Sequence, residues 1–257
     1  MKRLKEIQFK GEKKMKKSLS LLFSVLFILV FAAGVSAQTA VPGYDVVLRA
    51  EAPEIDGDLS DAVWAEVPVL NGAFRFPWEA VEAPATTFRS FSDGEKLYFM
   101  FSVTDGAVLA EDEWSGESTV DDEDRVELFF AAGPVDLPVD YELPLYYCIE
   151  VDPKGRTHDY SVRYYRDFDS EWSMAGLETA AALTETGYSV EGAVPLTTFA
   201  DLGLIDEMGT MKVGVFRAEF TKPTDEIVMQ WISWIDPKTP VPDFHVDSAF
   251  GEFRFLK

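Results

Sequence analysis

Asp93-Gly94-Glu95-Lys96-Leu97-Tyr98-Phe99-Met100-Phe101-Ser102-Val103, DGEKLYFMFSV, reads as a turn that opens into a strand. Asp93 and Gly94 both accept positive φ, so the pair is a strong hairpin signal. The residues that follow are of the aromatic and β-branched types that suit a pleated, half-buried surface. Working outward, Arg125 to Phe130 alternates, with Val126, Leu128 and Phe130 on one face. Similar runs are Leu145 to Val151, Gly187 to Val194, Met211 to Phe220, Val228 to Trp234 and Gly251 to Leu256. Turns fall between them at Asp152-Pro153-Lys154-Gly155, Glu185-Thr186-Gly187 and Asp236-Pro237-Lys238. Short aromatic runs punctuated by Gly, Pro and Asp mark an all-β domain.

Helix is scarce. Ser60 can cap one short helix, Asp61 to Val67, and a second can follow Pro195 at Leu196 to Leu202. Many strands without a long linker hide two aromatic faces best as a single antiparallel β-sandwich, jelly-roll or immunoglobulin-like, over residues 44–257. Residues 38–43 read as a flexible lead-in.

The chain begins differently. Lys13-Lys14-Met15-Lys16-Lys17 precedes the apolar stretch Leu21 to Val35, and Val35-Ser36-Ala37 has the small residues that signal peptidase requires. Residues 1–37 therefore read as a signal peptide cleaved after Ala37, with Met15 a second candidate start. The apolar run is shorter than the roughly 20 residues of a membrane span. A secreted or periplasmic protein with no span after cleavage is expected.

Removing residues 1–37 takes eight of the 23 basic and two of the 45 acidic residues, leaving 15 against 43, a net charge of −28. Such a field repels phosphate backbones, which excludes a nucleic-acid partner, and attracts hard cations such as calcium. Cys148 is the only cysteine, so no intramolecular disulfide can hold the domain. Hydrophobic residues make up 47% and aromatics 14%, enough for a sizeable core.

Several motifs have both a chemical and a plain reading. Asp56-Gly57-Asp58-Leu59-Ser60-Asp61 departs from a calcium loop, with Asp61 where the turn glycine belongs, and reads better as a turn seating Trp64. Asp121-Asp122-Glu123-Asp124 stands before a strand; it is either a solvated acidic loop or a calcium site with Asp121 and Asp124 as candidate ligands, Asp124 the best placed. His158 and His245, the only two histidines, lack zinc-site spacing and read as hydrogen-bonding residues. Cys148, inside an apolar strand, reads as a small buried hydrophobe. Trp78, Trp114 and Trp172 lie in polar segments, where an indole either covers the core edge or stacks on a sugar's C–H face.

In sequence order, IDGDLSDAVWAEV, DGEKLYFMFSVTD, DDEDRVELFF, YYCIEVDPKG, TGYSVEGAVPLTTF, MKVGVFRAEF, WISWIDP and PDFHVDSAFGEFRF resemble carbohydrate-binding module family 9 and its relatives, from about Tyr44 to Lys257. The resemblance implies a β-sandwich with structural calcium, in exported proteins that bind plant polysaccharides and often accompany xylanases. It implies that FGEFRF is the closing core strand and that Pro242 to Val246 borders the ligand. Of the two tryptophans that clamp a terminal sugar in such proteins, the second matches Phe244. The first falls near Asp121, where no aromatic stands, and Trp114 seven residues earlier is the candidate substitute. Glu127 matches a polar contact, His245 is a second candidate, and Cys148 replaces an expected arginine. The expected function is non-catalytic binding of a xylan- or cellulose-like polysaccharide or oligosaccharide beside a separate glycoside hydrolase. The rivals are hydrolysis by this chain itself, a structural or adaptor sandwich without a sugar site, and a haem-binding domain using Met100, Met174, Met211 or Met229.

Overall fold

The computed structural model describes residues 41–70, 74–136 and 145–257. The expected signal, residues 1–37, and residues 38–40 of the lead-in lie outside them. Among the described residues, the strands are β1 (Gly43–Leu48), β2 (Thr86–Ser92), β3 (Lys96–Thr104), β4 (Arg125–Ala131), β5 (Tyr146–Val151), β6 (Thr157–Val162), β7 (Phe168–Asp169), β8 (Glu178–Thr184), β9 (Gly187–Pro195), β10 (Thr210–Thr221), β11 (Val228–Ser233) and β12 (Gly251–Phe255). Two short helices are α1 (Ala62–Ala65) and α2 (Leu196–Asp201). No helix among the described residues is long and apolar enough to cross a membrane.

One sheet runs β7-β6-β5-β4-β10-β12-β1 and the other β1-β2-β3-β9-β8, with β11 paired to the far half of β10. The ladders are antiparallel except at β1, which runs parallel to both neighbours. Its first four residues pair with β12 and its last two with β2, so β1 turns the corner between the layers. Gly43, taken from the sequence as part of the lead-in, already belongs to this strand. The Tyr44 hydroxyl fastens the corner, accepting the Ser90 N–H at 2.8 Å and reaching the Pro68 carbonyl at 2.7 Å. Burial pushes that hydroxyl up to about 12.

Alternation decides what each layer buries. Val126, Leu128 and Phe130 of β4, Tyr147, Ile149 and Val151 of β5, and Val213 and Val215 of β10 meet Leu97, Phe99, Phe101 and Val103 of β3 and Tyr188, Val190 and Val194 of β9 in one core. A fully buried side chain of this size contributes about 1.5–3 kcal/mol. Phe99 lies across its ladder partner Gly192, where a Cβ would stand 2.1 Å from the ring. Any larger residue at Gly192 would displace Phe99 from the core.

On the outer side of β3, α1 and Val67 after it cover the middle, with Val63, Trp64 and Val67 packed on Phe91, Tyr98 and Met100, while Ser102 and Thr104 stay exposed. The helix is shorter than expected and begins with Asp61, not Ser60, at its N-cap. Asp61 Oδ2 accepts the Glu54 N–H at 2.9 Å, and Val67 precedes Pro68, a position that disfavours helix. The preceding turn seats Trp64, whose Nε1–H donates to Glu191 at 2.6 Å while the Gly57 N–H donates to the same carboxylate at 3.0 Å.

Candidate functional site

The alternation that fills the core from β4, β5 and β10 turns a second set of side chains outward. The register arranges them in rows across the sheet. His158, Glu150, Glu127 and Phe216 form one row; Tyr160, Cys148, Phe129 and Gly214 form the next. On the other side of Glu127, Arg125 lines up with Ala218 and Trp231. One half of this face is therefore charged and the other apolar.

The segment before β12 folds over the apolar half. Phe244 lies face to face on Phe216, with centroids 4.1 Å apart and planes at 11°, and meets Trp231 edge-on at 5.7 Å. Gly214 leaves the room: a Cβ there would stand 2.4 Å from the Phe216 ring. His245 lies over Phe129 at 5.2 Å. Between this segment and the charged half opens a cavity of about 170 Å³. Arg125, Glu127 and Glu150 line it from the sheet, Trp231 from β11, and Arg166, Asp243, Phe244 and His245 from the covering segments.

Its electrostatics follow from burial. Arg125 Nε stands 3.0 Å from Glu127 and 2.6 Å from Glu150, and its Nη1 donates to the carbonyls of Asp121 and Glu123 at 3.0 and 3.2 Å. One guanidinium thus serves two buried carboxylates. Burial, then the charge of Glu150, push the Glu127 carboxyl above its ordinary range against the pull of Arg125. Burial and the charge of Arg166 push His245 down to about 3, leaving it neutral. Its tautomer follows from its neighbours. Tyr146 Oη–H donates to the Tyr165 carbonyl, so it accepts from His245 Nδ1–H at 2.9 Å and leaves Nε2 as an acceptor. Asp243 accepts from Tyr165 Oη at 2.7 Å and pairs with Arg166 at 3.2 Å.

Glu127, Phe244 and His245, singled out from the sequence, come together here. Phe244 is 5% exposed with one face against Phe216, so it forms a wall rather than a free stacking platform. Trp114 does not line the cavity and does not replace the missing aromatic. It is 46% exposed and lies over Arg156 at 5.2 Å, which holds it at the surface beside the pairs of Arg156 with Glu123 and Asp152. Cys148 is buried on the apolar half. Arg166 and Arg125 bring guanidinium groups to the cavity from other positions. Arg125, Glu150, Arg166, Trp231 and Asp243 were not read as site residues. The outward alternation of β4 and β5 marks Arg125 and Glu150 once those strands are assigned, and Asp243 lies within Pro242 to Val246, the segment expected to border the ligand, whereas nothing local marks Arg166.

Asp121 and Asp124, read as ligands of one calcium site, belong to two separate clusters. The 3-10 turn Glu117–Asp122 ends between them. Asp121 lies with Glu150 and His158 on the outer face; Asp124 lies buried with Asp105 and Glu219. In the second cluster Asp124 accepts the backbone N–H groups of Leu109 and Phe220 at 2.5 and 2.6 Å, Arg217 pairs with Glu219, and Asp105 Oδ2 is buried without a hydrogen-bond partner. Burial, joined by the charge of Asp105, drives Asp124 up to about 7 despite its two N–H bonds.

The chain is a two-layer β fold with an aromatic-backed, polar-walled recess on the outer face of one sheet. The chain belongs to the carbohydrate family 9 binding domain-like family, whose model matches residues 55–257. No curated protein matches it. Among solved structures it is similar to a protein of Bacteroides uniformis ATCC 8492 provisionally assigned to carbohydrate binding, at TM-score 0.61 and 18% identity, over 84% of this chain and 100% of that one. It is also similar to a carbohydrate-binding module family 9 domain of Caldicellulosiruptor kristjanssonii. The cellotriose complex of that domain aligns at TM-score 0.53 and 18% identity, over 82% of this chain and 93% of that one. Its glucose complex aligns at the same score and identity, over 83% and 96%. Identities this low establish a shared fold and nothing finer.

Proposed function

We propose that this chain is a non-catalytic carbohydrate-binding module whose cavity takes one terminal ring of a cellulose- or xylan-like glycan. The observation that carries this reading is the wall of the cavity. Arg125 and Arg166 offer donors, and Glu127, Asp243 and His245 Nε2 offer acceptors. Trp231 supplies an aromatic side of the kind that packs on sugar C–H groups. A volume of about 170 Å³ is below the roughly 300–1,000 Å³ of pockets for drug-sized ligands, and so suits one ring rather than a chain. The family and the sugar complexes of the Caldicellulosiruptor domain support the ligand class.

The test is calorimetric titration with glucose, cellotriose and xylotriose, with tryptophan fluorescence read in parallel. A one-ring site predicts that glucose and cellotriose bind within about tenfold of each other, ~1.4 kcal/mol. No heat and no fluorescence change with any glucan or xylan oligosaccharide would overturn the reading, and turnover of a chromogenic glycoside would overturn its non-catalytic part.

Calcium belongs to the same proposal. Asp105, Asp124 and Glu219 offer hard oxygen donors around Arg217, and Asp105 Oδ2, which has no hydrogen-bond partner and stands 4.0 Å from that guanidinium, is the kind of atom such a cation uses. Bound there, it would tie the end of β10 to the segments carrying Asp105 and Asp124. Export through residues 1–37 and service beside a separate glycoside hydrolase complete the proposal.

A further inference from the structure

A second cavity, about 190 Å³, opens on the same outer face, lined by Asp121, Glu150, His158, Tyr160, Phe168 and Ser170. Ligand atoms of Asp121, Glu150 and His158 lie within 4.8 Å of one another. His158 and Glu150 face each other across the β5–β6 ladder, and the 3-10 turn before β4 delivers Asp121.

His158 is 6% exposed, and its two nitrogens are in different situations. Nδ1 lies 2.8 Å from Asp121 Oδ1. An ionised carboxylate only accepts, so Nδ1 carries the proton, and a cation at the other nitrogen, Nε2, would meet the lone pair that the ring presents there in its neutral form. That Nε2 is buried and has no hydrogen-bond partner. Leaving a buried acceptor unsatisfied costs about 1–3 kcal/mol, so the atom calls for an occupant. Glu150 Oε1 accepts from Tyr160 Oη at 2.7 Å and Oε2 faces Arg125 Nε at 2.6 Å. A carboxylate has about four acceptor positions, so two remain.

We propose that His158 Nε2 and the Glu150 carboxylate bind a divalent transition-metal cation of the zinc class, with Asp121 orienting the imidazole through Nδ1–H and water filling the remaining positions. Imidazole nitrogen with carboxylate oxygen suits such cations, whereas calcium takes oxygen alone. The carboxylate–histidine pair is the usual outer support of a metal-bound imidazole. Three acidic groups, Asp121, Glu127 and Glu150, surround the single charge of Arg125, which leaves room for a dication. Because Glu150 lines both cavities, cation and sugar occupancy are coupled, and any effect of one on the affinity of the other is reciprocal.

The test uses the purified chelator-treated protein titrated with ZnCl2 by calorimetry, alongside ¹⁵N NMR of the imidazoles; with only two histidines in the chain, the signals are unambiguous. One equivalent of Zn²⁺ should bind, shift Nε2 of His158 and leave His245 untouched, and excess Ca²⁺ should not displace it. His158→Gln should abolish binding, and Asp121→Asn should weaken it about 10–100-fold. No zinc binding, binding unchanged in His158→Gln, or a shift confined to His245 would each overturn the proposal. The wild-type NMR readout stands even if His158→Gln fails to fold, and none of these outcomes depends on whether a sugar binds.

Discussion

Replacing Phe244 by alanine and by leucine separates two roles for its ring. In the structure the ring is 5% exposed, stacked on Phe216 at 4.1 Å and met by Trp78 and Trp231, each at 5.7 Å. Phe→Ala at such a site costs about 3–5 kcal/mol, the lost transfer energy plus the cavity left behind. For a domain of this size each kcal/mol moves the melting temperature by ~2–4 °C, so Phe244→Ala should melt ~6–20 °C lower. Leucine keeps most of the volume but loses the ring pairs, about 0.5–1.5 kcal/mol each. With three such pairs lost, Phe244→Leu should melt ~3–18 °C lower and still bind cellotriose. Thermal unfolding by circular dichroism and calorimetric titration of each variant give both quantities. A leucine variant with an unchanged melt and no cellotriose binding would make Phe244 a ligand platform and refute the packing account.

Arg166→Ala should weaken sugar binding by about 1.5–3 kcal/mol, the range for a hydrogen bond to a charged group, with little effect on the melt because its side chain is 44% exposed. Titration with cellotriose checks this. Trp114→Ala should leave sugar affinity unchanged and cost no more than about 1 kcal/mol, the worth of an exposed cation–π contact with Arg156; a lost sugar response would return Trp114 to the site. Calcium that binds only the native state at 100 times its Kd raises stability by about 2.7 kcal/mol, so EGTA should lower the wild-type melt and leave Asp124→Asn unaffected. Burial, opposed by the Trp64 and Gly57 hydrogen bonds, leaves Glu191 with a raised carboxyl. The folded state holds that proton more tightly than the unfolded chain, so this contribution is complete below the ordinary glutamate range and declines as pH rises through the raised value. Glu191→Gln should flatten that decline in melts taken as a function of pH.

Strand identity was legible because alternation is local. Lys96 to Val103, Arg125 to Phe130 and Gly187 to Val194 each appear within a residue or two of their observed bounds, and the Asp93-Gly94 turn joins β2 to β3 as expected. β2, β6 and the two-residue β7 were not among the strands read from the sequence, nor was β8, whose TAAAL run is half-exposed and lacks the aromatic residues of an interior strand. The corner strand β1 was missed as well, since a short run that changes partners midway has no signature of its own. Glu127, Phe244 and His245 were found through the family resemblance and do meet at one cavity. Trp114 carried the same kind of signal and lies elsewhere, because an indole in a polar loop reads alike whether it faces a ligand or an arginine.

Composition and period-2 patterning by themselves determined an acidic, disulfide-free, all-β domain, since burial of one face is written every second residue. Only the tertiary structure decided which outward residues face each other. It put Glu150 and His158 beside Glu127 and set Asp121 apart from Asp124, although two residues separate them in the chain. Ladder register brings together groups from distant segments, and a short turn divides neighbours. The chemistry of a site depends on those through-space distances, which no local pattern encodes.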